Sequence, residues 1–154
     1  MNPEQLYPPL NILLAEDDTD DRFFFDKALK ELPITTHLTT FHDGEQLMKY
    51  LFENSGHLPD VVFLDINMPR KNGYECMAEI KENILLKDIF VVMFSTFYSR
   101  YIHYEQEMTK KLHDIGVHEF IRKSQDFAQL KQTILKVLIT ATEKRALKEE
   151  EENL

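Results

Sequence analysis

The sequence predicts an α/β fold built on one parallel β-sheet with helices on both faces. Three observations predict it. Apolar runs are unbroken at Ile12-Leu13-Leu14-Ala15, directly after Asn11, at Val61-Val62-Phe63-Leu64 and at Ile89–Phe94, and such runs suit strands buried on both faces. The segments between them carry apolar residues at helical spacing. Turn and cap chemistry separates the two kinds of segment at Pro33, His42-Asp43-Gly44, Asn54-Ser55-Gly56 and Asn72-Gly73. Strands and helices alternating in this way, five of each, imply right-handed crossovers into a single sheet.

Residues 1–9 hold three prolines and read as an irregular lead-in. The first strand ends in Glu16-Asp17-Asp18. Thr19 or Asp20 can cap the helix that follows, with acids in its first turn where the helix dipole favours them. Phe25, Leu29 and Leu32, with Phe24 and Ala28 beside them, face inward until Pro33 stops the helix. A strand at 35–41 and a helix with Leu47, Met48, Leu51 and Phe52 inward come next. The strand at 61–65 ends at Asp65, and a third helix begins near Gly73 with Met77, Ile80 and Ile84 inward. The fourth strand ends at Ser95-Thr96. A fourth helix places Tyr101, Tyr104, Met108, Leu112 and Ile115 on one face and ends at Gly116. A strand over Val117–Arg122 then ends at Lys123. The last helix starts after Ser124 or Asp126 and turns Phe127, Leu130, Ile134, Leu138 and Ala141 inward. One domain over 10–142 is expected, followed by a charged tail or helix extension over 143–154 that includes Glu149–Glu152.

Composition narrows the function. The chain has 154 residues, 43% hydrophobic and 29% charged, which suits one soluble domain with a complete core. No apolar run nears the roughly 20 residues that span a bilayer, and the N-terminus lacks a signal-peptide pattern. A single cysteine, Cys76, permits no internal disulfide and fits a reducing cytoplasm. A net charge of −9 argues against a nucleic-acid partner. The six histidines lack metal-ligand spacing, and the four glycines form neither GxGxxG nor GxxxxGK[ST].

In a parallel sheet the strand ends share one edge, so Glu16-Asp17-Asp18, Asp65, Ser95-Thr96 and Lys123 converge there. Taken singly, each acid reads as a helix cap and Lys123 as an ion-pair partner. Taken jointly, they form a pocket in which crowded carboxylates repel and one lysine does not balance them. A hard divalent ion such as Mg²⁺ answers that need. Asp65 can act as a nucleophile toward phosphorus, with Ser95 and Lys123 stabilising the transferred group.

ILLAEDD, VVFLDINMPRKNG, VVMFST and EFIRKS resemble, in order, the four signatures of response-regulator receiver domains. EDDTDDRFFFDKAL, FHDGEQLMKYL and FLDINMPRKNGYECM resemble stand-alone receivers of the kind that includes phytochrome-associated regulators. The resemblance implies a flavodoxin-like, doubly wound five-stranded sheet of order 2-1-3-4-5. It implies phosphorylation of Asp65 by a sensor histidine kinase or a phosphotransfer protein, and no catalysis beyond self-phosphorylation and autodephosphorylation. It makes Glu16, Asp17, Asp65 and the main-chain carbonyl of Asn67 the ligands of Mg²⁺, for which Mn²⁺ can substitute. Ser95 becomes the switch hydroxyl, Thr96 a gate on access to Asp65, Phe120 the aromatic switch and Lys123 the phosphate-binding lysine. Ser124 stands where the family usually has a proline after a cis peptide bond.

No output domain is expected after the last helix, so the signal should leave through contacts with a downstream protein or a second copy of the chain. Phe97 and Tyr98, in the loop before the fourth helix, are hard to bury and should cover the site or meet a partner. Leu135, Ile139, Thr142 and Ala146 form a second stripe on the last helix, expected to be an interaction or homodimer surface unless Leu135 and Ile139 are fully buried. Two rival readings remain. A phosphatase of the haloacid dehalogenase type needs a second acid two residues after the nucleophile, where this chain has Asn67. A phosphorylation-silent binding module keeps the fold alone; Asp17, Asp65, Ser95 and Lys123 argue against it, whereas Thr96 and Ser124 leave room for it.

Overall fold

The computed structural model describes residues 8–95, 107, 110–111 and 113–154. In chain order the elements are β1 (Leu10–Ala15), α1 (Thr19–Lys30), β2 (Thr36–Phe41), α2 (Gly44–Glu53), β3 (Val61–Leu64), α3 (Gly73–Glu82), β4 (Val91–Ser95), β5 (Glu119–Arg122) and α4 (Phe127–Glu152). The five strands form one parallel sheet in the order β2-β1-β3-β4-β5, the flavodoxin-like arrangement. Four helices stand among the described residues. The other expected helix, between Ser95 and Gly116, falls largely outside them, though residues 107, 110, 111, 113 and 114 are helical.

The strands legible as unbroken apolar runs are the central ones. Every residue of β3 and β4 is buried, as is every residue of β1 except Asn11. Because side chains alternate across a strand, each run feeds two cores. Leu13, Ala15, Val62, Leu64, Val91 and Met93 face one side, with α2 and α3. Ile12, Leu14, Val61, Phe63, Val92 and Phe94 face the other, with α1 and α4. There Phe25 of α1 meets Phe63 edge-on, with ring centroids 4.8 Å apart, a favoured geometry for aromatic pairs. The outer strands β2 and β5 are only partly buried, which is why they read less clearly.

Several local expectations change. Asp18, not Thr19 or Asp20, caps α1, its carboxylate accepting from the Asp21 N–H. Phe24 and Phe52 are about half exposed, because Phe25, Ala28 and Leu29, and Leu47, Met48 and Leu51, already fill the inward stripes. Ile84 is 78% exposed. Helix α3 ends at Glu82, and its cap Asn83 is extended, so Ile84 leaves the helical phase and Leu86 is buried instead. Ile115 is exposed, in the turn before Gly116. On α4, Val137 joins the expected inward residues, Leu135 is half-buried and Ile139 is 47% exposed.

Candidate functional site

The main-chain ladder runs one residue past the strands and pins the site residues. Glu16 N–H donates to Phe41 O at 2.9 Å, Asp65 N–H to Ala15 O at 3.0 Å and Lys123 N–H to Ser95 O at 2.9 Å. These bonds fix the ends of all five strands at one edge of the sheet, and four of those ends, β1, β3, β4 and β5, supply the site residues. Arg22 adds a tie from α1, its guanidinium donating to the Glu16 carbonyl at 2.7 Å.

Asp65 is buried at the centre. Its Oδ1 accepts from the Ser95 hydroxyl at 2.8 Å, and its Oδ2 lies 3.5 Å from Lys123 Nζ. The same ammonium is 2.5 Å from Glu16 Oε2 and 2.9 Å from Asp21 Oδ2. Burial pulls the lysine pKa down, but the pairs with Glu16 and Asp21 more than offset this and hold it above its ordinary value. Glu16 is also buried. Burial, and then the charge of Asp65, push its pKa up to about 8 against the pull of Lys123.

One ammonium therefore faces several carboxylates. Oxygens of Glu16, Asp17 and Asp65 lie within 4.8 Å of one another, with Asp17 open to solvent. Glu16 Oε1 accepts from the Asp18 N–H at 3.1 Å. Glu16 Oε2 is buried and, among the described residues, has the charge of Lys123 near it but no aligned hydrogen-bond donor. Three carboxylates drawn together beside a single ammonium fit a small hard cation with oxygen ligands.

The loop after β3 is closely fitted to this pocket. Gly73 N–H donates to Ile66 O at 2.8 Å. A Cβ on Gly73 would lie 2.5 Å from the Asp65 carbonyl oxygen, so the first residue of α3 has no room for a side chain. Asn72 and Glu75 form a reciprocal capping box that fixes the helix start. Asn67 sits exposed in this loop, two residues after Asp65, and Arg70 adopts φ 67°. Phe120 on β5 is partly buried against the α2/α3 core. Thr96, Phe97 and Tyr98 lie outside the described residues, and Leu135 and Ile139 lie on α4.

No peptide bond is cis among the described residues, so Lys123-Ser124 is trans. The Ser124 hydroxyl instead accepts from the Asp126 N–H at 3.1 Å and donates to Gln129 at 2.9 Å, which organises the start of α4. Asp21 is the site residue that sequence reasoning missed. Its signal was present: it stands one helical turn from the acidic end of β1, but so do other acids that serve only the helix start.

A family model for the response regulator receiver domain matches residues 12–135. Response regulator Rcp1 of Synechocystis sp. is 34% identical over 128 residues, covering 80% of this chain and 82% of that protein. The crystal structure of the phosphorylated cyanobacterial phytochrome response regulator RcpA superposes with a TM-score of 0.72 at 31% identity, over 84% of this chain and 91% of that one. The Mn²⁺-bound form of Rcp1 superposes with a TM-score of 0.70 at 29% identity, over the same shares.

Proposed function

The chain belongs to the response regulator receiver family, and from that premise we propose that Asp65 accepts a phosphoryl group from a sensor histidine kinase or a phosphotransfer protein. One observation carries the reading: a hydroxyl at 2.8 Å, an ammonium at 3.5 Å and two further acids converge on one buried carboxylate. An Asp65 oxygen attacks phosphorus, and the new O–P bond forms as the N–P bond to the donor imidazole breaks, the imidazole keeping the electron pair. Glu16, Asp17, Asp65 and the Asn67 carbonyl would hold Mg²⁺ or Mn²⁺, which when bound neutralises charge on the phosphoryl oxygens. Lys123 pairs with one phosphoryl oxygen, and Ser95 moves its hydrogen bond from Asp65 to another.

The phosphoryl group adds nearly two negative charges and three acceptor oxygens. The Ser95 movement frees space into which Phe120 turns, shifting the face formed by the helix expected before Gly116, β5 and α4 as a change of population between two packings. The partner is a protein rather than nucleic acid or membrane, given the net charge of −9, and the chain acts in the cytoplasm. Leu135 and Ile139 on α4 form the contact surface for a downstream target or a second copy of the chain. Incubation with Mg²⁺ and acetyl phosphate tests this reading. The expected result is a hydroxylamine-sensitive label that Asp65→Asn abolishes. Rapid release of inorganic phosphate would point to a phosphatase, and no label to a silent module.

A further inference from the structure

We infer that Asp21 is a positioning residue that draws Lys123 away from the phosphoacceptor, so that phosphorylation has to open an ion pair to α1. The inference rests on the receiver reading of Asp65.

Lys123 Nζ stands 2.5 Å from Glu16, 2.9 Å from Asp21 and 3.5 Å from Asp65. A charge-assisted N–H···O bond is about 2.7–2.9 Å long when fully formed. The bond to Asp21 is therefore complete, and the contact with Asp65 is stretched. Glu16 and Asp65 belong to the acid cluster that suits a cation, but Asp21 does not. Its place is set by the cap of α1, where the Asp21 N–H donates to Asp18 Oδ1 at 2.9 Å.

A phosphoryl group on Asp65 brings new acceptors for an ammonium that has three N–H donors. Those donors are shared among Glu16, Asp21 and, at a stretched distance, Asp65, so drawing the ammonium in to full bonding distance of a phosphoryl oxygen on Asp65 lengthens the contact with Asp21. Asp21 thus stabilises the unphosphorylated state selectively, and its release passes the event to the first turn of α1. There is room for that movement. Asp21 and Lys123 both line a cavity of about 220 Å³, walled by Phe24, Phe94 and Phe127.

The test uses the full chain with Mg²⁺ and beryllofluoride, a stable phosphoryl analogue, its affinity read by calorimetry. Asp21→Asn should tighten beryllofluoride binding about fivefold, the scale of a part-exposed ion pair, with no rise in melting temperature to account for it. Asp21→Glu, which keeps the charge, should restore the parent affinity. Asp20→Asn removes the same charge from the same exposed turn and should change affinity by less than about twofold. If Asp21→Asn does not fold, Asp21→Ala makes the same comparison. Affinity equal to the parent or to Asp20→Asn, or weaker binding, overturns the role of Asp21 alone. A parent chain that neither binds the analogue nor labels on Asp65 overturns this inference and the receiver reading together.

Discussion

Glu16 joins the electrostatics of the site to measurable pH behaviour. Its pKa rises from 4.5 to about 8, first through burial and then through Asp65. Between those values the folded chain holds a proton that the unfolded chain has shed, so metal-free stability falls as pH rises through the window. A cation has to displace that proton, so Mg²⁺ affinity should climb over the same window and level off above it. Thermal melts from about pH 5 to about pH 9 should show the metal-free Tm falling while the gain from Mg²⁺ grows. A gain that does not change with pH would contradict this account. Cys76 is a quieter case. Burial pushes its thiol up to about 12, and its sulfur packs 3.7 Å from the Gly44 carbonyl. It should resist thiol reagents near pH 8 in the folded chain and react once the chain is denatured. Asp21 was not legible, because its partner Lys123 stands 102 residues away and only the folded sheet brings them together.

Among the elements, α3 bears most directly on Asp65, because its first residue packs closely on the Asp65 carbonyl. Gly73→Ala places a methyl group 2.5 Å from that oxygen. It should cost about 1–3 kcal/mol and reduce labelling of Asp65, measured by denaturant unfolding beside the phosphorylation assay. At the opposite end of the sheet Arg145 ties α4 down. It donates to both Asp60 oxygens and to the carbonyls of Pro8 and Pro9, at 2.8 and 2.9 Å for the prolines. Asp60 in turn accepts from the Asn11 N–H at 2.8 Å. Arg145→Ala leaves a part-buried carboxylate without its fork and should destabilise the fold by about 2 kcal/mol, with labelling of Asp65 retained. Sequence periodicity located each described element but not every inward face. Phe24 and Phe52 sit one position off filled stripes, and Ile84 follows a helix end that apolar spacing alone does not reveal. β1, β3 and β4 read well because burial on both faces removes polar residues, whereas β2 and β5 lie at the sheet edges and keep theirs.

Across the whole molecule, a sheet packed on both sides holds four strand ends in one register, and the surface proposed for partner contacts lies on α4. Ile139 and Leu147 are 47% and 60% exposed on that helix, an apolar stripe beside the core face. Sedimentation should show association that depends on concentration and that Ile139→Lys weakens without unfolding the chain; an unchanged monomer at all concentrations would assign the stripe to a different protein partner. No described helix is long and apolar enough to cross a membrane. On the proposed function, the fold presents Asp65 to phosphorus. Treatment with acetyl phosphate and Mg²⁺, borohydride reduction and peptide mass spectrometry test it directly, because an acyl phosphate is reduced to an alcohol. Homoserine is expected at position 65, dependent on Mg²⁺ and absent at the neighbouring acids Asp17 and Asp21. An unmodified Asp65, or modification elsewhere in the pocket, would contradict it.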